Sequence, residues 1–297
     1  MIKRTLSFGN PAYLSMENNQ LVISKKNDEL KKSVPIEDIG ILILEHPQIT
    51  ITHVLIARLL ENNVAIITSN EKYMPVGLML NLNGHTLQRR YFENQITAKE
   101  PLKKQLWQHT IRCKIKNQAN LLKGQGKGYN YLYELSAKVK SGDSQNLEAI
   151  AASYYWKSLF MEWGKFSRDA DGTSPNHLLN YGYTILRAIV ARSLVGSGLL
   201  PTLGIFHRNQ YNAYCLADDI MEPYRPYVDD IVYRLCIEYG SELDLTTQIK
   251  VKLLEIATID TVIGGTRSPL FNAIQRSTAS LARSFESGVC ELIYPEI

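Results

Sequence analysis

Cysteine is scarce in this chain. There are four in 297 residues, Cys113, Cys215, Cys236 and Cys290; none forms a CxxC pair, and the closest two are 21 positions apart. Such spacing supports neither a disulfide framework nor a zinc knuckle, and it points to a reducing compartment. Long apolar runs are also missing. No stretch reaches the roughly 18 uninterrupted apolar residues of a membrane span. The opening "MIKRTLSFGNPAYLSMENNQ" carries two basic residues but no apolar core of a signal peptide. A cytoplasmic protein with no membrane partner is expected. The net charge, +4, is too small to require nucleic acid unless the basic residues cluster. Internal repeats and low-complexity tracts are absent. What is present, 45% hydrophobic and 21% charged residues, is the composition of a soluble globular chain long enough for one large domain or two smaller ones.

Two textures divide the chain. Over the first 80 or so residues, "KRTLSFG", "AYLSME" and "QLVISKK" are short runs separated by Gly9-Asn10-Pro11 and Glu17-Asn18-Asn19, as strands and turns are. "GILILE" and "NVAIITSN" read as buried strands. Between them "THVLIARLLENN" has helical spacing and stops at Asn62-Asn63. Beyond residue 93, long helix-periodic segments follow, interrupted by glycine and proline. The fold expected is α+β: a small sandwich-like β-domain with one embedded helix and its linker over 1–92, and a larger all-helical catalytic domain over 93–297. Gly264-Gly265 and the polar residues after it read as a helix–helix connection.

One window concentrates chemistry. "GIFHRNQYNAYCLADDIMEPYR" (204–225) holds His207, Asp218, Asp219 and Glu222. On a helix, Glu222 shares a face with both aspartates, and like charges so placed repel unless water or a cation relieves them. Leu216, Ile220 and Met221 indicate packing on one side, and Pro223 should break the helix near Glu222. The spacing leaves two readings open, a solvated acidic face or a metal site. Carboxylates with an imidazole would suit Mn2+ or Mg2+. Glu148, in "SGDSQNLEAIAASYYW", reads by itself as a first-turn carboxylate favoured by the helix dipole, with Asn146 or Ser144 as the cap.

The segments "NLEAIAASYYW", "SPNHLLNYGYTILRAIVARSLVGSGLLPTLGIFHRN" and "LADDIMEPYRPYVD", in that order, resemble the CRISPR-associated Cas-one family, the integrase of spacer acquisition, and most of all the short form found beside Cas9-type effectors. The resemblance spans essentially the whole chain. It implies a metal-dependent DNA endonuclease and integrase. Its three ligands to Mg2+ or Mn2+ map onto Glu148, His207 and Glu222, which are also the catalytic residues; Glu222 stands where many relatives have aspartate. Asp219 matches a further acidic position, as a ligand or just behind one. Asp218 matches none. The implied reaction joins the 3′-hydroxyl ends of a short DNA fragment to a CRISPR repeat by transesterification. The implied assembly is a homodimer bridged by a Cas-two dimer on double-stranded DNA, with a Cas9-type effector as a further partner. The rivals are a stand-alone metal-dependent nuclease acting on branched or single-stranded DNA, and an inactive DNA-binding scaffold.

Between residues 89 and 127 only Glu93 and Glu100 are acidic, against ten basic residues that include Lys103, Lys104, Arg112, Lys114, Lys116 and Lys127. Such a run is usually a solvated face. Given the resemblance, Lys103, Lys104, Arg112 and Lys116 are the expected DNA-backbone contacts. "GQGKG" lacks the spacing of a phosphate-binding loop.

Overall fold

A computed structural model describes residues 3–24, 31–71, 74–164, 166–169 and 172–297. The chain divides into two compact units, Met1–Thr86 and Leu87–Ile297.

The first unit contains strands β1 (Arg4–Phe8), β2 (Ala12–Glu17), β3 (Gln20–Ser24), β4 (Lys32–Pro35), β5 (Ile39–Leu44) and β6 (Ile49–Ile51), helix α1 (His53–Glu61), and strands β7 (Ala65–Ser69) and β8 (Pro75–Met79). They form two four-stranded sheets, ordered β1-β5-β7-β8 and β4-β3-β2-β6. β5 lies between parallel partners β1 and β7, with Ile41 opposite Ala65. A strand flanked on both sides and covered on both faces reads as a continuous apolar run, which is why "GILILE" shows no alternation. Leu14, Leu21, Ile39, Leu42, Leu55, Leu59 and Ile66 meet in one core. Each such side chain contributes about 1.5–3 kcal/mol by leaving water. α1 ends at Asn62, and Asn63 follows at positive φ, as the Asn-Asn stop predicts. β4, β6 and β8 were not visible as sequence patterns, being short and largely half-exposed. Lys25 and Lys26 of "QLVISKK" lie outside the described residues.

The second unit is mostly helical: α2 (Gln88–Thr97), α3 (Glu100–Gly124), α4 (Asn130–Lys138), α5 (Leu147–Leu159), α6 (Asn176–Gly196), α7 (Cys215–Met221), α8 (Arg225–Tyr239), α9 (Thr247–Leu254) and α10 (Leu270–Ser287). The division at Thr86 precedes the boundary expected at residue 92, because Gln88 to Phe92 already belong to α2. The unit is not purely helical. β9 (Asp260–Ile263) and β10 (Thr266–Pro269) form an antiparallel hairpin. Gly264 and Gly265, both at positive φ, are its two-residue turn rather than a link between helices. α3 is the central helix. Leu102, Leu106, Trp107, Ile111, Ile115, Leu121 and Leu122 bury it against its neighbours, and Pro101 sits at its start, where no helical N–H is needed.

Candidate functional site

Three segments converge on α3. The first is the start of α5. A 3-10 turn, Ser141–Asp143, delivers the buried Asp143 carboxylate, which accepts the backbone N–H groups of Leu147 (2.9 Å) and Glu148 (3.0 Å). Asp143 is therefore the cap, not Asn146 or Ser144. It satisfies two otherwise unpaired donors and sets the direction in which Glu148 leaves the helix.

The second segment is the break between α7 and α8. α7 stops at Met221, a 3-10 turn runs from Glu222 to Tyr224, and α8 begins at Arg225 with Pro226 in its first turn. Pro223 ends the helix as predicted. Asn117 of α3 donates to the Pro223 carbonyl (2.8 Å), tying the turn to the central helix. Glu222 is thereby held with only 7% of its side chain exposed.

The third is the loop between α6 and α7, which carries His207. Asp219, fully buried in α7, organises it. One carboxylate oxygen accepts the N–H of Ile205 (2.7 Å) and Phe206 (2.9 Å); the other lies 2.5 Å from His207 Nδ1. The carboxylate accepts, so Nδ1–H donates and Nε2 is the ring nitrogen left with a lone pair. Phe206 stacks on Trp107 of α3 at 4.2 Å, and the imidazole meets the same indole edge-on at 5.6 Å.

Lys114 stands among these segments. Its Nζ donates to Glu148 Oε1 at 2.5 Å and lies 2.6 Å from Glu222 Oε2. Arg225 Nε holds Glu222 Oε1 at 2.8 Å. Burial pushes the Glu222 carboxyl up, but Arg225 and Lys114 outweigh it and hold the group at about 2. Burial likewise opposes charge on Lys114, yet Glu222 and Glu148 raise its pKa. The His207 pKa is raised first by the hydrogen bond to Asp219, with smaller contributions from Glu222 and Glu148. The acidic window is thus not a solvated face. Asp218 is buried too, with Arg187 Nε at 2.6 Å and the Asn212 amide at 2.7 Å. These partners give Asp218 a structural role.

Among the described residues, no three His, Cys, Asp or Glu side chains stand close enough to share a metal ion. Glu148 and Glu222 share an ammonium instead. The donor chemistry nevertheless fits a divalent ion. Glu222 Oε2 is buried, and its one neighbour is the Lys114 ammonium at 2.6 Å. Two carboxylates already converge on one cation position, and the imidazole is oriented by a carboxylate behind it, as metal-binding histidines usually are.

The family model "CRISPR associated protein Cas1" matches residues 7–241. This chain belongs to the Cas1 family. A CRISPR-associated endonuclease Cas1 of Neisseria meningitidis serogroup C is 37% identical over 293 residues, spanning 98% of this chain and 93% of that protein. One from Pyrobaculum aerophilum is 27% identical over 86% of this chain and 90% of its own length. A casposase bound to its integration product shares the fold at a TM-score of 0.77 and 19% identity, over 97% of this chain and 91% of that one. A Cas1 protein from Thermotoga maritima does so at 0.72 and 15%, over 95% and 97%. The mixed architecture, a β-rich first part and a helical second, is that of Cas1 structures.

In this Cas1 chain the basic stretch is not one surface. Arg112 donates to the Val139 carbonyl at the end of α4, through Nε (3.2 Å) and an Nη (2.8 Å). Lys127 is buried on Glu162 and the Leu159 carbonyl, beneath the Tyr233 ring. Of the four residues expected to meet DNA, Lys104 and Lys116 are exposed, Lys103 lines the hollow that holds His207, and Arg112 is engaged by the Val139 carbonyl. Lys114 and Asp143 are site residues whose roles the sequence did not reveal. For Lys114 a signal existed: it lies seven residues from both Trp107 and Leu121, on the buried stripe of α3.

Proposed function

We propose that this chain is a metal-dependent DNA endonuclease and integrase that inserts short DNA fragments into a CRISPR repeat array. Family membership supports the reaction class. The observation carrying the active-site assignment is the convergence of Glu148, at the start of α5, and Glu222, in the turn after α7, on one cation position, with the His207 imidazole oriented by Asp219.

Glu148, Glu222 and His207 Nε2 are the proposed ligands of Mg2+ or Mn2+. Such an ion would neutralise charge on the attacked phosphodiester and favour ionisation of the attacking 3′-hydroxyl. The remaining work belongs to the chain itself. Asp219 fixes the imidazole tautomer, the capped start of α5 fixes Glu148, and the Pro223 turn fixes Glu222. Arg225 keeps Glu222 ionised. Lys103, Lys104 and Lys116 are proposed to position the DNA backbone, which sets the reacting oxygens at short range.

Joining both ends of a fragment requires two sites, and hence a dimer. Cas1 and Cas2 occur together in a Cas6-RT-Cas1–Cas2 complex, whose fold this chain matches at a TM-score of 0.75 and 20% identity over 97% of its own length and 35% of that chain. A Cas2 dimer is accordingly the proposed bridge. Association with a Cas9-type effector rests on the sequence resemblance to short Cas1 forms. No helix among the described residues is long and apolar enough to cross a membrane; a cytoplasmic location follows from the DNA substrate.

The test combines the purified chain, a Cas2 partner, a labelled fragment with 3′-hydroxyl ends, and a supercoiled plasmid bearing the repeat. Label joined to plasmid in Mn2+ but not EDTA, and lost in Glu148→Gln and His207→Ala, is the expected result. Cut but unjoined DNA indicates the stand-alone nuclease. DNA binding without any product, indifferent to metal, indicates a scaffold.

A further inference from the structure

Lys114 has an unusual position for a lysine. It lies on the buried stripe of α3, its side chain is 11% exposed, and its ammonium is shared by two carboxylates, one 24% and the other 7% exposed. A buried cation persists only where anions compensate its lost hydration. Here the compensation is complete: Glu148 and Glu222 balance Lys114 and Arg225, so the group sums to zero charge. One ammonium serves both carboxylates. Lys114 Nζ lies 2.5 Å from Glu148 Oε1 and 2.6 Å from Glu222 Oε2, and that second oxygen is held by nothing else.

We propose that Lys114 is a resident counter-cation that holds the position between Glu148 and Glu222 until a divalent ion takes it, so that ion loading requires the ammonium to withdraw. The proposal rests on the assignment of Glu148 and Glu222 as metal ligands. A divalent ion entering with Lys114 in place would set three like charges against two carboxylates in a low-dielectric pocket, counting the ion as two, before Arg225 is included. Exchange of one cation for the other avoids this. The side chain has somewhere to go. A cavity of about 170 Å3 is lined by Lys114 together with Gln118, Trp156, Arg168, Arg225 and Asp229, and the buried Asp229 carboxyl, which already accepts from Tyr155 and Tyr183, offers the displaced ammonium further oxygen acceptors. The apo site is thereby kept neutral and folded, and the carboxylates are kept at the spacing of a shared cation.

The experiment is a Mn2+ titration of the full chain, with free Mn2+ read by electron paramagnetic resonance and melting followed in EDTA and in Mn2+. Lys114→Met keeps the length of the stem and removes the charge. It should bind Mn2+ about tenfold or more tightly than wild type, because two unbalanced carboxylates favour the ion. It should also melt lower than wild type in EDTA and recover more on adding Mn2+. Affinity equal to or weaker than wild type, in a folded variant, overturns the proposal. If Lys114→Met does not fold, a crystal structure of the wild type grown in Mn2+ decides. Anomalous density between Glu148 and Glu222, with Lys114 Nζ beyond hydrogen-bond reach of both, supports exchange; Nζ still resting on both carboxylates refutes it. Glu148→Gln separates the two levels. If it binds Mn2+ as tightly as wild type, the ligand assignment fails and the exchange with it. If it binds weakly while Lys114→Met matches wild type, only the exchange fails.

Discussion

Gly204 tests whether the His207 loop is positioned by close packing. A methyl group at this residue would meet the His207 carbonyl oxygen at 2.4 Å, an Asp219 carboxylate oxygen at 2.8 Å and Cys215 Cβ at 3.1 Å. None of these can yield easily. The carbonyl is backbone, Asp219 is fully buried, and Cys215 begins α7. Gly204→Ala must therefore push the 205–207 turn away from Asp219, whose contacts with Ile205, Phe206 and His207 span 2.5–3.3 Å. Overpacking of this kind costs about 2 kcal/mol. For a unit the size of Leu87–Ile297 that lowers the Tm by roughly 4–8 °C. Strand joining should fall further than stability does. Displacing an imidazole by around an ångström costs on the order of 100-fold in rate, whereas a loss of about 2 kcal/mol leaves nearly all molecules folded at 25 °C. The assay is the joining rate at 25 °C in saturating Mn2+, beside a circular dichroism melt. A wild-type Tm together with a wild-type rate would show that the turn absorbs the methyl group without strain. A lowered Tm with an unchanged rate would show that Asp219 does not set the working position of His207.

Asp219→Asn should lower joining by about 10–100-fold, less than Glu148→Ala does, since it disturbs the orientation of the ring without removing a proposed ligand; equal losses would place Asp219 among the ligands. Replacing Lys103, Lys104 and Lys116 together by alanine should weaken binding to all DNA sequences alike and flatten the log–log salt dependence by about 0.9 per lost phosphate contact. Arg112→Ala should instead lower the Tm and leave that slope unchanged, because Arg112 holds the Val139 carbonyl; titrations at several salt concentrations check both. Asp229 is held at about 7, first by burial, against hydrogen bonds from Tyr183 and Tyr155 and the charge of Arg225. The folded state therefore keeps a proton that the unfolded chain has lost, so stability should fall as pH rises from about 4 to 7, at a limiting slope of about 1.4 kcal/mol per pH unit. Asp229→Asn should remove that component, and urea denaturation across this pH range would refute it if both proteins kept the same slope.

Much of the architecture could be read from local pattern. Alternation and punctuation located β1, β2, β3, β5 and β7, helical spacing located α1 and the long helices, and Pro223 marked the end of α7. Each of these depends on a few neighbouring residues, because period and turn chemistry are short-range properties. The order of the segments around Glu148, His207 and Glu222 was enough to suggest the family. The meaning of single charges was not legible. Lys114 and Arg112 look like members of one basic run, yet one sits between two carboxylates and the other caps α4. Asp218 and Asp219 are neighbours, yet one pairs with Arg187 and the other holds the His207 loop. Asp143 caps α5 in place of the expected Asn146 or Ser144, and Gly264-Gly265 turns a hairpin. The sequence by itself determined where most of the elements form and which segments carry the family pattern. Only the tertiary structure decided which charges meet, since partners 34 and 108 positions apart, Lys114 with Glu148 and with Glu222, are brought together by helix packing and not by any spacing along the chain.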